Sequence, residues 1–432
     1  MPRIGGGIRT TMAIYLGLDF GTSGARLMAI AGAGAVVYMA QVMWTRGDLI
    51  FQWRGALGQL LGGLPPEIAQ GVGAIALNGT SATVLLCDCT GQPLTPPLVY
   101  NDDRGQAVAE QLRALAPPDH WVQSATSSLA KLLWWETHEA ATYKQAAFLL
   151  HQADWLAAQL HGRWGITDYH NALKLGYDVE NLAYPHWLQN WSGFNRCPQV
   201  VEPGTPLGTI TPKAAAAFGL PRDCVICAGT TDSIAAFLAS GATTPGQAVT
   251  SLGSTLVLKL LSDRPVMDLN AGVYSHRLGG LWLTGGASNT GGAVLAHFFT
   301  PGELVELSQQ IDPQGASPYD YYPLLKPGDR FPINDPHLPP RLEPRPADPV
   351  AFLSGLLHGM AHIEAQGYQR LAALGATPLT QVFTAGGGAK NPVWGEIRQR
   401  VLGVPVAASI QTEAAYGTAR LAQWQGLGQF QA

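Results

Sequence analysis

Four short stretches of this chain hold residue types whose spacing suits chemistry on an anionic ligand. The first is Asp19-Phe20-Gly21-Thr22-Ser23, set between apolar, strand-like runs that extend from Ile14 to Ile30. This pattern predicts a β-hairpin, with Asp19 at the end of its first strand. The turn offers backbone N–H groups and two hydroxyls. That makes it either an anion cradle or an ordinary tight hairpin. The second stretch, Gly229-Thr230-Thr231-Asp232-Ser233, follows a predicted strand over 224–229 and opens a helix over 234–240. The third, Ser251-Leu252-Gly253-Ser254-Thr255, repeats the strand–turn–strand theme of the first. The fourth, Gly386-Gly387-Gly388-Ala389-Lys390-Asn391-Pro392, lies between a strand over 380–384 and a helix over 393–402. A structural βα turn needs one glycine. Three in a row before a helix start favour close approach of backbone to phosphate or ribose.

The elements that position these stretches are those of an α/β protein. The chain has 432 residues, enough for two or three domains, and 47% are hydrophobic, enough to build their cores. Only 13% are charged, with 51 glycines and 31 prolines, which fits compact, loop-bearing α/β architecture rather than a coiled coil or a disordered chain. Net charge is −4 and the basic residues form no runs, so nothing points to nucleic acid or an anionic membrane surface. No apolar stretch approaches the roughly 18–20 residues of a membrane span. Residues 1–11 read as a disordered tail without a secretory signal, with Met12 a second candidate start. Five cysteines include Cys224 and Cys227, on opposite faces of one strand, and Cys87 and Cys89, on one face of another. Reduced thiols in a cytoplasmic protein follow.

In chain order, a helix around 54–64 precedes a buried strand over 72–77, which delivers Asn78-Gly79-Thr80-Ser81. Strands over 83–88 and 97–100 bring Tyr100-Asn101-Asp102-Asp103-Arg104 to a strand end, where α/β proteins hold ligands. The pattern from 106 to about 162 is helical and contains Lys131. The proline-rich region 301–348 reads as an exposed loop or flap. Leu353, Leu356, Leu357, Met360 and Ile363 then predict a long helix over 352–374. His358 and His362 stand at i and i+4 there. Without the glutamate of a metalloprotease motif, packed or capped histidines are the better reading.

Taken together and in this order, the motifs resemble the FGGY family of carbohydrate kinases over nearly the whole chain, about 14–421. The family's first phosphate motif matches Asp19, Gly21, Thr22 and Arg26. Its central motif matches Asp232 and 251–255, and its adenosine motif matches Gly386 to Gly388, Asn391 and Pro392. Its sugar-site Trp-x-Asp-x-Arg resembles 100–104, with Tyr100 replacing the tryptophan. The resemblance implies an α/β, two-domain actin-like (ribonuclease H-like) ATPase fold with an interdomain cleft. An N-terminal domain over 12–222 would hold the sugar site and first hairpin; a C-terminal domain over 223–432 would hold the catalytic aspartate and the nucleotide site. The cofactors implied are ATP and Mg²⁺, and the partners are small molecules, sugar and nucleotide.

Phosphoryl transfer needs positioning, charge neutralisation and a base near the attacking hydroxyl. On the resemblance, Asp232 is that base and Asp19 holds Mg²⁺. Thr22, Ser23, Ser254 and Thr255 bind phosphate oxygens, with Arg26 a charge partner or a structural ion pair. Gly387, Gly388 and Asn391 contact the nucleotide; Trp394 either flanks the base or anchors its helix. Ser81, Thr83, Asp102 and Asp232 are the candidates for sugar contact, Asp102 alternatively being a salt-bridge residue. Xylulose kinases carry a Gln-Met-His-like segment where this chain has Asn78-Gly79-Thr80-Ser81-Ala82-Thr83. That difference and the short chain resemble a compact pentulose-kinase subgroup for which D-ribulose is favoured. The other readings are a kinase for D-xylulose or another sugar or polyol, and a non-catalytic sugar or nucleotide sensor. A chaperone-type ATPase would share the fold but lacks a peptide-binding domain here.

Overall fold

The computed structural model describes residues 12–431, so the tail expected at 1–11 lies outside the described residues. The chain forms two compact units. One runs to Ala236 and regains the chain at Glu413–Leu427; the other comprises Phe237–Thr412 and the residues from Gly428, so Asp232 falls in the first unit rather than beyond the boundary expected at 222.

In the N-terminal unit the strands are β1 (Ile14–Phe20), β2 (Gly24–Ala31), β3 (Ala35–Met43), β4 (Val72–Gly79), β5 (Val84–Cys87), β6 (Phe148–His151), β7 (Ile166–Asp168), β8 (Gln199–Val201), β9 (Pro206–Thr209), β10 (Val225–Cys227) and β11 (Thr230–Thr231). The main sheet runs β3-β2-β1-β4-β10-β9, with β11 continuing on β4. Both faces of its centre are covered, which is why β1 reads as a nearly unbroken apolar run. Leu16, Leu18 and Phe20 are fully buried with Trp53, Leu60, Trp155 and Leu160 from two helices. The opposite face packs on the helix Ala414–Trp424. Gly17 makes this possible, since a Cβ there would sit 2.0 Å from the Ala415 carbonyl oxygen. The Asn78 amide donates to Thr418 Oγ1 at 2.6 Å and locks that helix to β4.

Three expectations are corrected in this unit. Residues 97–100 form no strand and make one bridge, Val84 to Leu98, because Pro96 and Pro97 have no N–H to donate. The region 106–162 is not helical throughout, since Leu149 and Leu150 belong to β6, paired with β5. The pair Cys87 and Cys89 shares no strand face, because β5 ends at Cys87 and Cys89 is exposed in the following turn. Cys224 and Cys227 do join different apolar clusters, and all five cysteines are free thiols.

The C-terminal unit holds β12 (Gln247–Leu252), β13 (Leu256–Ser262), β14 (Tyr274–Leu278), β15 (Leu281–Ser288), β16 (Gln381–Ala385) and β17 (Val406–Ala408), ordered β14-β15-β13-β12-β16-β17. The helix Pro349–Ala373 supplies much of its core. Asp348 caps it, accepting from Val350 N at 3.0 Å and Ala351 N at 3.2 Å. The proline-rich region is not simply an exposed flap. It opens with the helix Pro301–Ser308, and Tyr321, Tyr322, Leu324 and Phe331 are buried in the core. His358 Nδ1 meets the Ser354 carbonyl at 2.8 Å, and its Nε2 stands 2.7 Å from Arg400 Nη2, so it is a packed histidine. His362 is exposed.

Candidate active site

The parallel alignment of β1, β4 and β11 brings distant sequence segments to one edge. Asp19 on β1 pairs in register with Asn78 on β4, which pairs with Thr230 on β11. Two strand spacings set Asp19 about 10 Å from Thr230 along the sheet. Asp232 follows two residues later and opens the helix Asp232–Ala239, its Oδ1 accepting from Ser233 N at 2.6 Å. Asp19 Oδ1, Asn78 Oδ1 and Thr231 Oγ1 are buried atoms without a protein hydrogen-bond partner. Buried polar atoms are normally paired, so three orphans on neighbouring strand ends mark a place built for a ligand.

The electrostatics agree. Burial pushes the Asp19 carboxyl up to about 7, helped by the Asp232 and Glu413 charges and opposed by Arg26. Arg26 lies 3.8 Å from Asp19 Oδ2 and 3.3 Å from Glu413, which makes it an ion-pair residue in this arrangement. A buried, partnerless carboxylate oxygen among acidic neighbours fits a divalent cation. Among the described residues no cluster of three His, Cys, Asp or Glu forms a closed metal site. Mg²⁺ is commonly held by one or two carboxylates and completed by phosphate and water. Thr22 and Ser23 are exposed at the turn, where Gly21 N donates to Gly24 O at 3.0 Å and Trp44 Nε1 to Gly21 O at 3.0 Å.

The predicted sugar residues are handled differently. Thr83 is fully buried and its hydroxyl lies 2.5 Å from that of Thr80, inside the protein, whereas Ser81 is half-buried. Asp102 accepts from Arg104 N at 3.2 Å and Nε at 2.8 Å, and the Arg104 guanidinium lies 4.4 Å over the Trp134 ring. Partial burial pushes the Asp102 carboxyl up, but the Arg104 bonds and the Lys131 charge hold it below its ordinary value. Lys131 itself is fully buried and donates to the carbonyls of Ala82 and Val99, each at 2.7 Å. These bonds clamp the segments bearing Ser81 and Asp102. The motifs name Lys131 without a role and leave out Asn78 and Glu413, which the structure places beside Asp19. Only Asn78 had a local signal, as the first polar residue after an apolar run.

In the C-terminal unit, Ser254, Gly388, Asn391 and Trp394 line one cavity of about 740 Å³, together with Gly387 and the apolar residues Leu252, Leu295 and Leu304. Gly386 has φ +82°, and a Cβ there would lie 2.7 Å from the Leu252 carbonyl oxygen. Asn391 caps the helix Pro392–Leu402, accepting from Trp394 N at 3.1 Å while donating to Ser308 Oγ at 2.8 Å. Trp394 is 2% exposed, yet its ring lines the cavity and its Nε1 has no partner. It is buried at the start of its helix and at the same time lines the cavity. Thr255, half-buried, stands at the end of the turn just before β13.

Comparison with known proteins bears on both units. Profiles of the FGGY family of carbohydrate kinases match residues 65–239 (N-terminal domain) and 248–426 (C-terminal domain). The chain is 25% identical over 450 residues to a xylulose kinase of Escherichia coli (strain K12), covering 95% of this chain and 90% of that protein. It is 29% identical over 443 residues to a xylulose kinase of Streptomyces coelicolor, covering 91% and 84%. Among solved structures, a xyloylose kinase from Brucella ovis superposes with a TM-score of 0.82 at 25% identity, covering 95% of this chain and 90% of that one. The fold is the two-domain actin-like fold of these kinases. No helix among the described residues is long and apolar enough to cross a membrane.

Proposed function

Because this chain belongs to the FGGY family of carbohydrate kinases and is an ATP-dependent sugar kinase, we propose that it phosphorylates a ketopentose at a primary hydroxyl, with D-ribulose favoured. The N-terminal unit supplies the sugar and proton-transfer groups and the C-terminal unit the nucleotide cavity. The observation that carries this reading is the set of unpartnered buried atoms on neighbouring strand ends, Asp19 Oδ1, Asn78 Oδ1 and Thr231 Oγ1, the last of them on the residue before Asp232.

Asp232 takes the proton of the sugar hydroxyl as that oxygen attacks the γ-phosphorus; the bond to the β-phosphate bridging oxygen breaks and ADP leaves. Ser81 and Asp102 orient the sugar, while Thr83, engaged by Thr80, holds the turn that presents Ser81. Thr22, Ser23, Ser254 and Thr255 offer hydroxyls and backbone donors to phosphate oxygens. Gly387, Gly388, Asn391 and Trp394 hold the nucleoside. Asp19 would hold Mg²⁺, which when bound neutralises phosphate charge. The free thiols fit a reducing, cytoplasmic setting.

Small hydroxyls over 78–83, in place of a bulky Met-His pair, support D-ribulose. The names of the relatives support D-xylulose as the second reading. ADP release measured with D-ribulose, D-xylulose and a polyol panel separates them. We expect the highest kcat/KM with D-ribulose; a higher value with D-xylulose replaces the first reading by the second. Asp232→Asn lowers sugar-dependent kcat roughly 10²–10⁴-fold. Retention of full turnover in that variant removes Asp232 from the role of base.

A further inference from the structure

Two lysines of the N-terminal unit, Lys131 and Lys174, are not exposed and are left without a role by the motifs, and they differ in one respect. Lys131 has its ammonium satisfied by the Ala82 and Val99 carbonyls at 2.7 Å. Lys174 is half-buried, and among the described residues its ammonium has neither a hydrogen bond nor an ion-pair partner. Its turn is rigid. Leu173 and Leu175 on either side are buried, Trp121 Nε1 donates to the Leu173 carbonyl at 2.9 Å, and Gly176 closes the turn at φ +101°.

The same turn is fastened to the strand that delivers Asp232. Asp168 caps the preceding helix Tyr169–Ala172, accepting from His170 N at 2.8 Å and Asn171 N at 3.1 Å. His170 Nδ1 then meets Thr230 Oγ1 at 2.8 Å, two residues before Asp232. The backbone that carries Lys174 is therefore tied to the strand that delivers Asp232.

Its electrostatic surroundings complete the geometry. Burial lowers the Lys174 pKa and the Asp232 carboxylate raises it, whereas Lys131 feels Lys174 as a repulsive neighbour. Lys131 in turn feels Asp102 as an attractive one. Lys131 thus feels the charges of Asp102, Lys174 and Arg104, and Lys174 feels that of Asp232. A desolvated ammonium with three unused donors, beside another ammonium, is unfavourable unless an acceptor completes it. The protein supplies that acceptor for Lys131 and not for Lys174. A polyhydroxylated substrate carries suitable oxygens.

We propose that Lys174 is a substrate-contacting residue, its ammonium donating a hydrogen bond to the sugar oxygen next to the primary hydroxyl that is phosphorylated. The assignment rests on the reading of Asp232 as the base, because that reading puts the reacting hydroxyl beside Asp232. For a ketopentose phosphorylated at O5 the neighbouring oxygen is the 4-hydroxyl. Lys131 acts through the backbone it clamps and is a positioning residue; Lys174 selects acceptors that carry a hydroxyl beside the reacting one.

The test crosses two changes, Lys174→Met in the full-length enzyme and removal of the 4-hydroxyl from the ketopentose. Lys174→Met should lower kcat/KM for the sugar roughly 10- to 100-fold, the loss expected of a charged hydrogen bond, with the KM for ATP within about twofold of wild type. Wild-type enzyme should lose a similar factor on the 4-deoxy sugar, and the variant should lose little more on it. Lys174→Arg should recover part of the discrimination between the two sugars. Independent, multiplying losses overturn the contact, as does a Met variant with unchanged sugar kcat/KM. If Lys174→Met does not fold, Lys174→Ala decides, since wild-type discrimination between the two sugars in that variant overturns the contact equally. Asp232→Asn runs in parallel. An inactive Asp232→Asn beside a silent Lys174→Met rejects only the lysine assignment, whereas an active Asp232→Asn rejects the reading beneath it.

Discussion

The two glycine hairpins share one strand arrangement, charged at the first strand end and neutral at the second. β1 pairs antiparallel with β2 and parallel with β4; β12 pairs antiparallel with β13 and parallel with β16. A further antiparallel strand follows on the outside of each, β3 on β2 and β15 on β13. Residue for residue, Asp19-Phe20-Gly21-Thr22-Ser23 corresponds to Ser251-Leu252-Gly253-Ser254-Thr255. In the parallel neighbours, Asn78-Gly79 opposite the first hairpin corresponds to Ala385-Gly386 beside the second. The first strand end thus presents a buried carboxylate and an amide, both with unpartnered oxygens. The second presents a hydroxyl, a methyl and a glycine, and carries no charge. One suits a cation and a proton transfer; the other lets backbone approach an anion without repelling it.

If that division of labour is right, breaking each half damages a different parameter. The largest effect is on the charged side, where Asp232→Asn removes transfer, expressed in kcat, while ATP still binds. On the neutral side Gly386→Ala comes next. At φ +82° a Cβ is strained and would press on the Leu252 carbonyl at 2.7 Å, so the nucleotide turn must shift. We expect the KM for ATP to rise roughly 10- to 100-fold with the KM for sugar little changed. A variant equally impaired for both substrates would show that the glycine serves folding rather than the nucleotide.

A smaller effect comes from making the second hairpin resemble the first. Ser251→Asp places a carboxylate at the position matching Asp19, close to where the phosphates are expected. The charge repulsion should weaken ATP binding roughly tenfold, less at high ionic strength. Isothermal titration with ATP checks this, and unchanged affinity would mean that phosphate does not come near this turn.

Much of this scaffold could be read from residue order because its signals are local. Apolar runs ending in glycine and hydroxyls mark both hairpins, and Asn391-Pro392 marks a helix start. Elements with ambiguous patterns were misread for physical reasons. The Leu149-Leu150 pair satisfies helical and extended periodicities alike, so β6 looked helical. The proline-rich region looked exposed because prolines resemble loops, yet Phe331 is 1% exposed, buried in the core. Candidate site residues stand out in the sequence where they adjoin a turn, as Asp19 and Asp232 do. Glu413 reaches Arg26, 387 positions away, only because the helix Ala414–Trp424 returns to β1. Lys174 is distinguished from the exposed lysines by its partial burial, and no sequence pattern encodes that.

The smallest effect, and the most direct probe of the charged hairpin, is the stability of the ligand-free protein with Asp19→Asn. The Asp19 carboxyl is pushed to about 7 in the fold from an ordinary value of 3.8, chiefly by burial and then by Asp232. Between those values the folded protein retains a proton that the unfolded chain has released, so stability falls as pH rises. The contribution is fully present below about pH 4 and lost as pH passes 7. Asparagine has no proton to lose and escapes this penalty. The variant's melting temperature should therefore match wild type near pH 4 and exceed it by a few degrees, about 2–6 °C, at pH 8. Mg²⁺ favours the ionised carboxylate, so adding it at pH 8 should raise the wild-type melting temperature and narrow the gap, with little effect on the variant. A pH-independent difference would mean that Asp19 ionises as freely as a surface carboxylate, and the contrast between the hairpins would then be one of shape rather than charge.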